Sequence, residues 1–175
     1  MSYVVTVEPH RASWARDFAV EAEKIGVALG PVLRALHHIG STAIPGIYAK
    51  PIIDILAEVT ELKALDRRDD EMRALRYEAM GEFGIPGRRY FRKNDERNAR
   101  THQIHAFAVG SPHLERHLAF RDFLVAHPER ARAYSDLKQR LVAACRGDLE
   151  AHVAGKDAFV KEAEREALRW AGGGD

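Results

Sequence analysis

The run Pro51-Ile52-Ile53-Asp54-Ile55-Leu56 most limits what this chain can fold into. Almost every residue in it is apolar, and an apolar run of this length is typical of a strand that is covered on both faces of a sheet. One carboxylate, that of Asp54, stands in its middle. The sequence therefore predicts a buried strand with a single acidic side chain at its centre.

The rest of the chain combines strand-like and helix-like patterns. In chain order, they predict a short strand at Val4–Val7, a helix at Ser13–Leu29, a strand at Val32–Ile39, a helix at Glu61–Tyr77, and strands at Arg88–Lys93 and Thr101–Val109. From Pro112 to Trp170 the pattern is helical, with breaks near His127-Pro128 and near Gly147 or Gly155. We therefore expect an α/β core at 1–110, C-terminal helices at 111–171 packed on that core, and a disordered tail at 172–175.

The charge balance and the single cysteine narrow the class of protein. Lys and Arg total 27 against 26 Asp and Glu, so general nucleic-acid binding is not expected. No apolar run is long enough to span a membrane, and Met1-Ser2-Tyr3 does not begin a signal peptide. The single Cys145 cannot form an internal disulfide, which agrees with a reducing cytosol. We therefore expect a cytoplasmic protein.

A segment rich in glycine, proline and small polar residues precedes the Asp54 strand. Its Gly40-Ser41 pair allows backbone N–H groups to approach a phosphate closely, and the hydroxyl of Ser41 or Thr42 supplies another donor. Lys50 adds a mobile cation, and Asp54 is suited to hold a divalent metal that bridges to phosphate oxygens. The alternative interpretation is a Ser-Thr helix cap and a buried aspartate that accepts hydrogen bonds from backbone amides.

The sequence HIGSTAIPGIYAKPIIDI, residues 38–55, resembles the hallmark segment of the GrpB family. This is a widespread bacterial group placed in the DNA polymerase beta-like nucleotidyltransferase superfamily. Further similarities lie in Arg89–Lys93, Thr101–His105, His117–Asp122, the His127-Pro128 junction and Leu137-Lys138. The resemblance implies an α/β core with a mixed, mainly antiparallel sheet, a Gly-Ser turn at a nucleotide site, and a helical C-terminal part.

The metal carboxylates of that superfamily are incomplete in this chain. The resemblance makes Asp54 the first carboxylate and a Mg²⁺ ligand, but Leu56 occupies the place of the second. Glu58 lies roughly 13 Å from Asp54 along an extended strand, too far to share a metal easily. His105 stands where a third carboxylate is expected, as a metal ligand, base or phosphate donor, or as a strand histidine satisfied by a core hydrogen bond. These residues therefore favour a single-metal or metal-free site over a two-metal site.

Basic residues in the motifs that match the family are candidates for a polyphosphate-binding wall. They are Arg89, Lys93, Arg121 and Lys138. Guanidinium and ammonium groups suit phosphate oxygens, although each of these side chains is equally compatible with a solvated face.

Two functions are compatible with these residues. The first is binding of a nucleotide or nucleotide-containing metabolite, with nucleotidyl transfer as the associated reaction. Because the family is found fused to dephospho-coenzyme A kinase in some bacteria, a coenzyme A-related ligand follows by analogy. The second is a catalytically silent fold that acts as a ligand sensor or binds a protein partner or another copy through its C-terminal helices. An exposed apolar face that includes Phe120, Phe123 and Leu124 would favour the second.

Overall fold

A computed structural model of the chain describes residues 6–145 and 148–173. The strand predicted at residues 4–7 and the predicted disordered tail therefore lie partly outside the described residues. Contacts between Cα atoms divide the chain into two compact units, which we call the sheet unit and the helical unit. The sheet unit comprises Ala12–Gly40 and Ile52–Leu114, and the helical unit comprises Met1–Arg11, Ser41–Pro51 and Glu115–Asp175. The sequence-based limits at 110 and 111 stay a prediction.

The sheet unit contains five strands and three of the α-helices. They are α1 (Ser13–Leu29), β1 (Leu33–Ile39), β2 (Ile53–Val59), α2 (Leu62–Asp66), α3 (Asp69–Ala74), β3 (Glu78–Ala79), β4 (Arg89–Asn94) and β5 (Arg100–Ala108). The strand order is β1-β2-β5-β4-β3; β2 and β5 are parallel, and every other neighbouring pair is antiparallel. The predicted α/β class with a mixed, mainly antiparallel sheet is confirmed.

Helix α1 lies where the sequence predicts it. Its side chains Trp14, Ile25 and Leu29 are buried, and the helix contacts β1 and β2. It ends at Gly30, whose φ of 53° is the left-handed conformation that glycine adopts without strain. Glu21 is also buried on this helix, which its amphipathic pattern does not predict.

The helix predicted at Glu61–Tyr77 is wrong, because the chain forms the two short helices α2 and α3 there. Arg67 and Arg68 form a turn between them, with φ −103° and ψ 12° at Arg68. Three acidic residues, Asp69, Asp70 and Glu71, follow in the first turn of α3. Acidic side chains stabilise a helix N-terminus through its dipole, so this run favours a new start over a continuous helix.

The C-terminal helices are α4 (Pro112–Ala126), α5 (Pro128–Cys145) and α6 (Leu149–Ala171). The predicted break at His127-Pro128 is confirmed. Helix α5 ends at Cys145 and α6 begins at Leu149. Of the two positions predicted for the second break, Gly147 lies outside the described residues, and Gly155 is inside α6, where it packs against Leu141 of α5. Because Gly155 has no side chain, α5 and α6 approach closely at this point.

The core of the helical unit includes residues of the glycine- and proline-rich segment. Ile44 and Ile47 pack in one buried cluster with Phe123 and Leu124, and Phe120 lies partly buried against it. Phe120, Phe123 and Leu124 pack in or against this core, so they do not form the exposed apolar face that would favour a protein partner. None of the helices, as far as residues 6–145 and 148–173 show, combines the length and apolar character needed to cross a membrane.

Candidate functional site

Asp54 lies on β2 and is packed directly against the backbone of Gly40. A Cβ atom at position 40 would lie 2.7 Å from Asp54 Oδ2, closer than any normal contact. Gly40 also has φ 74°, a conformation that other residues rarely adopt. Both the approach of the carboxylate and the backbone conformation therefore require glycine here.

A chain of polar contacts leads from Asp54 to His105 and Arg88. His105 Nε2 lies 3.3 Å from Asp54 Oδ1, and His105 Nδ1 lies 3.3 Å from Arg88 Nη1. A guanidinium group only donates hydrogen bonds, so Nδ1 of His105 accepts and Nε2 carries the proton in the neutral ring. His105 therefore donates to Asp54. In this arrangement it orients the carboxylate, and its protonated Nε2 has no lone pair to offer a metal.

Arg88 is fixed more firmly than the other members of this chain of contacts. Its side chain is buried, donates to the carbonyl oxygens of Phe83 and Glu82 at 2.8 and 3.1 Å, and lies 5.0 Å from the ring centroid of Tyr90. The Tyr90 ring in turn lies 5.6 Å from that of His105. Nothing in the sequence distinguishes Arg88 from the neighbouring arginine, so the sequence does not identify Arg88 as a site residue.

Neither Leu56 nor Glu58 supplies a second carboxylate beside Asp54 on β2. Leu56 is fully buried, and the Glu58 carboxylate lies 3.9 Å from His37 Nε2. Among the residues that the structure describes, no group of three or more histidine, cysteine, aspartate or glutamate side chains is placed to hold a metal ion. The described residues therefore offer one carboxylate, which is 27% exposed, for any metal at this position.

The structure does not bring Arg89 and Lys93 to Asp54. Alternate residues of a strand point to opposite faces, and Tyr90 lies on the His105 face, so Arg89 and Lys93 lie on the other face of the sheet. Arg89 forms a bidentate ion pair with Asp66, at 2.7 and 3.1 Å. These placements do not support a polyphosphate-binding wall beside Asp54.

Lys93 belongs to a buried polar cluster with Glu21, Tyr77 and His102. Lys93 Nζ and Tyr77 Oη donate to Glu21 Oε1 at 2.7 and 2.9 Å. Burial acts to raise the pKa of Glu21, but these two hydrogen bonds and the charges of His102 and Lys93 bring it below its ordinary value. Burial, followed by the charge of Glu21, raises the pKa of Tyr77. The cluster is thus internally satisfied, as expected for an ion pair that stabilises the fold.

In the helical unit, Lys138 of α5 binds the segment that carries Ser41. Lys138 Nζ donates to Ser41 Oγ at 2.8 Å and to the carbonyl oxygen of Tyr48, and it lies 4.6 Å from the ring centroid of Tyr134. Ser135, also on α5, accepts a hydrogen bond from the Tyr48 N–H at 2.9 Å. The segment is therefore attached to α5 through the backbone N–H and carbonyl groups of Tyr48 and through the hydroxyl group of Ser41.

The electrostatic surroundings of Lys138 are cationic. Its side chain is only 3% exposed, and burial, followed by the charges of Lys156 and Lys50, lowers its pKa to about 7. The same three lysines act on His152 of α6, whose pKa is lowered to about 4 by burial and then by their charges. Lys50, Lys138 and Lys156, together with Ser41 as the hydrogen-bond partner of Lys138, form a basic cluster that we call the lysine cluster. Three of its residues, Ser41, Lys50 and Lys138, are predicted phosphate-binding residues.

Two other predicted binding residues have different surroundings. Thr42 lies in the 3₁₀ turn Ser41–Ala43 and is buried, so Ser41, which is partly exposed, is the better placed hydroxyl. Arg121 Nε donates to Asp122 Oδ1 at 2.8 Å. Among the predicted phosphate-binding residues of the helical unit, Ser41 and Lys138 are joined by a described hydrogen bond.

Comparisons with known proteins agree with the hallmark segment. A family model described as GrpB protein matches residues 4–166. UPF0157 protein YqkA of Bacillus subtilis is 45% identical over 161 residues, which cover 92% of this chain and 46% of YqkA. This chain therefore spans about half the length of that relative.

Two further likenesses are informative. The crystal structure of conserved protein GrpB from Enterococcus faecalis superposes with a TM-score of 0.90 at 38% identity, covering 95% of this chain and 99% of that one. A dephospho-CoA kinase of Mycolicibacterium paratuberculosis is 26% identical over 192 residues, covering 95% of this chain and 47% of that protein. The family model matches almost the whole chain, and the chain belongs to the GrpB family.

Proposed function

We propose that this protein binds a nucleotide or nucleotide-containing metabolite and that Ser41 and Lys138 contact one of its phosphate groups. The observation that carries this proposal is the 2.8 Å contact between Lys138 Nζ and Ser41 Oγ, made by a lysine residue that is 3% exposed. An ammonium group and a hydroxyl held together offer a phosphate oxygen two donors.

The lysine cluster supports an anionic ligand. Lys138 is buried, and the charged groups that act on its pKa, within the described residues, are the cations Lys156 and Lys50. Burying a charge among like charges is unfavourable, and a bound phosphate would offset this by restoring the charged form of Lys138. Phosphate binding would therefore relieve part of the electrostatic cost of burying the charged Lys138 side chain in the unliganded protein.

For the divalent ion, we propose Mg²⁺ held by Asp54. Magnesium is commonly bound through one or two carboxylates, with phosphate oxygens and water as the remaining ligands. The partly exposed Asp54 carboxylate fits this role, and its hydrogen bond from His105 fixes its orientation. Two-metal phosphoryl transfer requires more carboxylate ligands than Asp54 alone supplies. The geometry therefore supports ligand binding better than nucleotidyl transfer.

Coenzyme A-related ligands belong to the proposed substrate class. The likeness to a protein named dephospho-CoA kinase covers nearly the whole of this chain and supports this choice. These ligands contain a nucleotide and several phosphates, which agrees with a basic cluster of three lysines.

The test is a calorimetric titration with nucleotides, coenzyme A and dephospho-coenzyme A, each with and without Mg²⁺. We expect Ser41→Ala and Lys138→Met to weaken binding of the same ligand roughly tenfold or more, since each removes a donor to a charged group. Asp54→Asn should remove only the Mg²⁺-dependent part of the affinity. Lys161→Met is the matched control, because Lys161 is exposed and pairs with Asp157. Equal affinities in Ser41→Ala, Lys138→Met and wild type would overturn the proposal.

The second candidate function is a catalytically silent nucleotide sensor. The full burial of Leu56, at the position of the missing carboxylate, favours it. Incubation with the ligand found by titration, Mg²⁺ and candidate acceptors separates the two functions. Release of pyrophosphate or appearance of a transfer product, lost in Asp54→Asn, would favour the enzyme; binding without turnover would favour the sensor.

A further inference from the structure

His152 of α6 is a buried polar side chain that the proposed function does not use. The residue is fully buried, and neither Nδ1 nor Nε2 has a hydrogen-bond partner among the described residues. Buried polar atoms in native proteins are nearly always paired, so an imidazole with two unpaired nitrogens needs an explanation. A binding group whose partner is a ligand is one such explanation.

The groups around His152 indicate the chemistry of that partner. The charges that act on its ring, among the described residues, are those of Lys50, Lys156 and Lys138, all cations, and its pKa is lowered to about 4 by burial and by these charges. The ring is therefore neutral near pH 7 and carries one N–H donor and one acceptor. These three cations select against a cationic partner and favour an oxyanion.

The helices α5 and α6 place His152 within about two helical turns of the level of Lys138. Gly155 packs against Leu141, so these residues lie at the same level of the two helices. Lys138 precedes Leu141 by one helical turn and Lys156 directly follows Gly155, which places the two lysine residues near one level, and the charge of Lys156 acts on Lys138. His152 lies four residues before Lys156, on the same face of α6 and about 5 to 6 Å further along its axis.

We propose that His152 and Lys156 form a second anion subsite, which binds a further phosphate of the same ligand. The inference rests on the proposed function, since the first phosphate is the one assigned to Ser41 and Lys138. It names the ligand class more narrowly: a molecule with a diphosphate or triphosphate group, rather than a monophosphate. The N–H of His152 donates to an oxygen of the second phosphate, and the ammonium group of Lys156 compensates its charge.

Inorganic phosphates are suitable probes, because they contain no base or sugar. Calorimetric titration of the whole chain with orthophosphate, pyrophosphate and tripolyphosphate should show at least tenfold tighter binding of the two longer anions. His152→Leu should reduce this preference roughly tenfold, as expected for loss of a hydrogen bond to a charged group, and should leave orthophosphate affinity unchanged. Lys156→Gln should act in the same direction, whereas Lys161→Gln on the same helix should match wild type.

The outcomes separate the two proposals. If none of the three anions nor any nucleotide binds, or if Ser41→Ala and Lys138→Met bind like wild type, the proposed function fails. If orthophosphate binding depends on Ser41 and Lys138 but the preference for pyrophosphate persists in His152→Leu, only the second subsite is wrong. Should His152→Leu not fold, the ring ¹⁵N resonances of His152 in the wild type decide: pyrophosphate must shift them, and orthophosphate must shift them less. Equal or absent shifts would overturn the inference.

Discussion

Replacing Lys138 by methionine should change how the free energy of unfolding depends on pH. The folded ammonium group has a pKa of about 7 against an ordinary value of 10.5. Between these values the unfolded chain binds more protons than the folded chain, so the stability of the wild type rises with pH. From pH 7 to pH 9 the two pKa values give a gain of about 2 kcal/mol, which Lys138→Met, having no ammonium group at this position, should lack.

Urea unfolding followed by circular dichroism at pH 7, 8 and 9, in buffers free of phosphate, measures this difference. Only the change with pH is compared, because the substitution also removes the hydrogen bonds to Ser41 and Tyr48. Lys161→Met removes an exposed ammonium group and should retain the wild-type slope. If Lys138→Met and wild type change in parallel over this range, the ammonium group is not desolvated and the reasoning is refuted.

A ligand that binds Lys138 should alter the same slope. A bound phosphate favours the charged ammonium group, so it raises the pKa of Lys138 towards its ordinary value. With saturating pyrophosphate, the wild-type gain between pH 7 and pH 9 should therefore shrink. An undiminished gain, despite measurable binding, would show that the anion binds away from Lys138.

Three further predictions concern the buried polar groups and Gly40. Lys93→Met leaves the Glu21 carboxylate buried without its ammonium partner and should lower the free energy of unfolding, measured in urea, by about 3–5 kcal/mol. The double variant with Glu21→Gln should recover much of this loss. A loss of less than about 1 kcal/mol in Lys93→Met would contradict the buried ion pair. Gly40→Ala forces a Cβ atom to 2.7 Å from Asp54 Oδ2 at a φ of 74°, so a lower melting temperature and loss of the Mg²⁺-dependent affinity are expected; an unchanged melting temperature would disprove the close approach. His152 has a folded pKa of about 4 and an ordinary value of 6.5, so the unfolded chain gains protons first on acidification, and the wild type should lose about 2 kcal/mol between pH 7 and pH 5 relative to His152→Leu. Equal losses would indicate a solvated ring.

Much of the fold could be predicted from the sequence because its elements have strong local patterns. Helix α1 has an apolar stripe and ends at Gly30, and β2 is an apolar run after Pro51, so both were located correctly. Strand β3 was missed because two residues carry no periodicity; it forms through the pairing of Glu78 with Arg92 on β4. Local pattern was insufficient wherever a partner distant in sequence determined the element.

The candidate site shows the same limit more sharply. Gly40 and Asp54 could be paired in advance, because a glycine turn beside a buried carboxylate is visible in the sequence. The separation of Lys93 from Asp54 could not be predicted in this way. Alternation along β4 divides its side chains between the two faces of the sheet, but it does not show which face carries Asp54. The register of β4 with β5, and of β5 with β2, determines that, and it aligns Tyr90 with His105.

Gly40 and Ser41 are neighbours in the chain, yet the structure makes different demands on them. Gly40 is required for its missing side chain, since the Asp54 carboxylate occupies the space of a Cβ atom. Ser41 is required for its hydroxyl, which accepts a hydrogen bond from Lys138. Substitutions at the two positions should therefore have separable effects: Gly40→Ala should act on stability and metal dependence, and Ser41→Ala on phosphate affinity at little cost in stability. A Gly-Ser pair supports a functional interpretation when the glycine is needed for its missing side chain and the serine for its hydroxyl. In this chain, the described contacts of Gly40 and Ser41 fulfil both conditions.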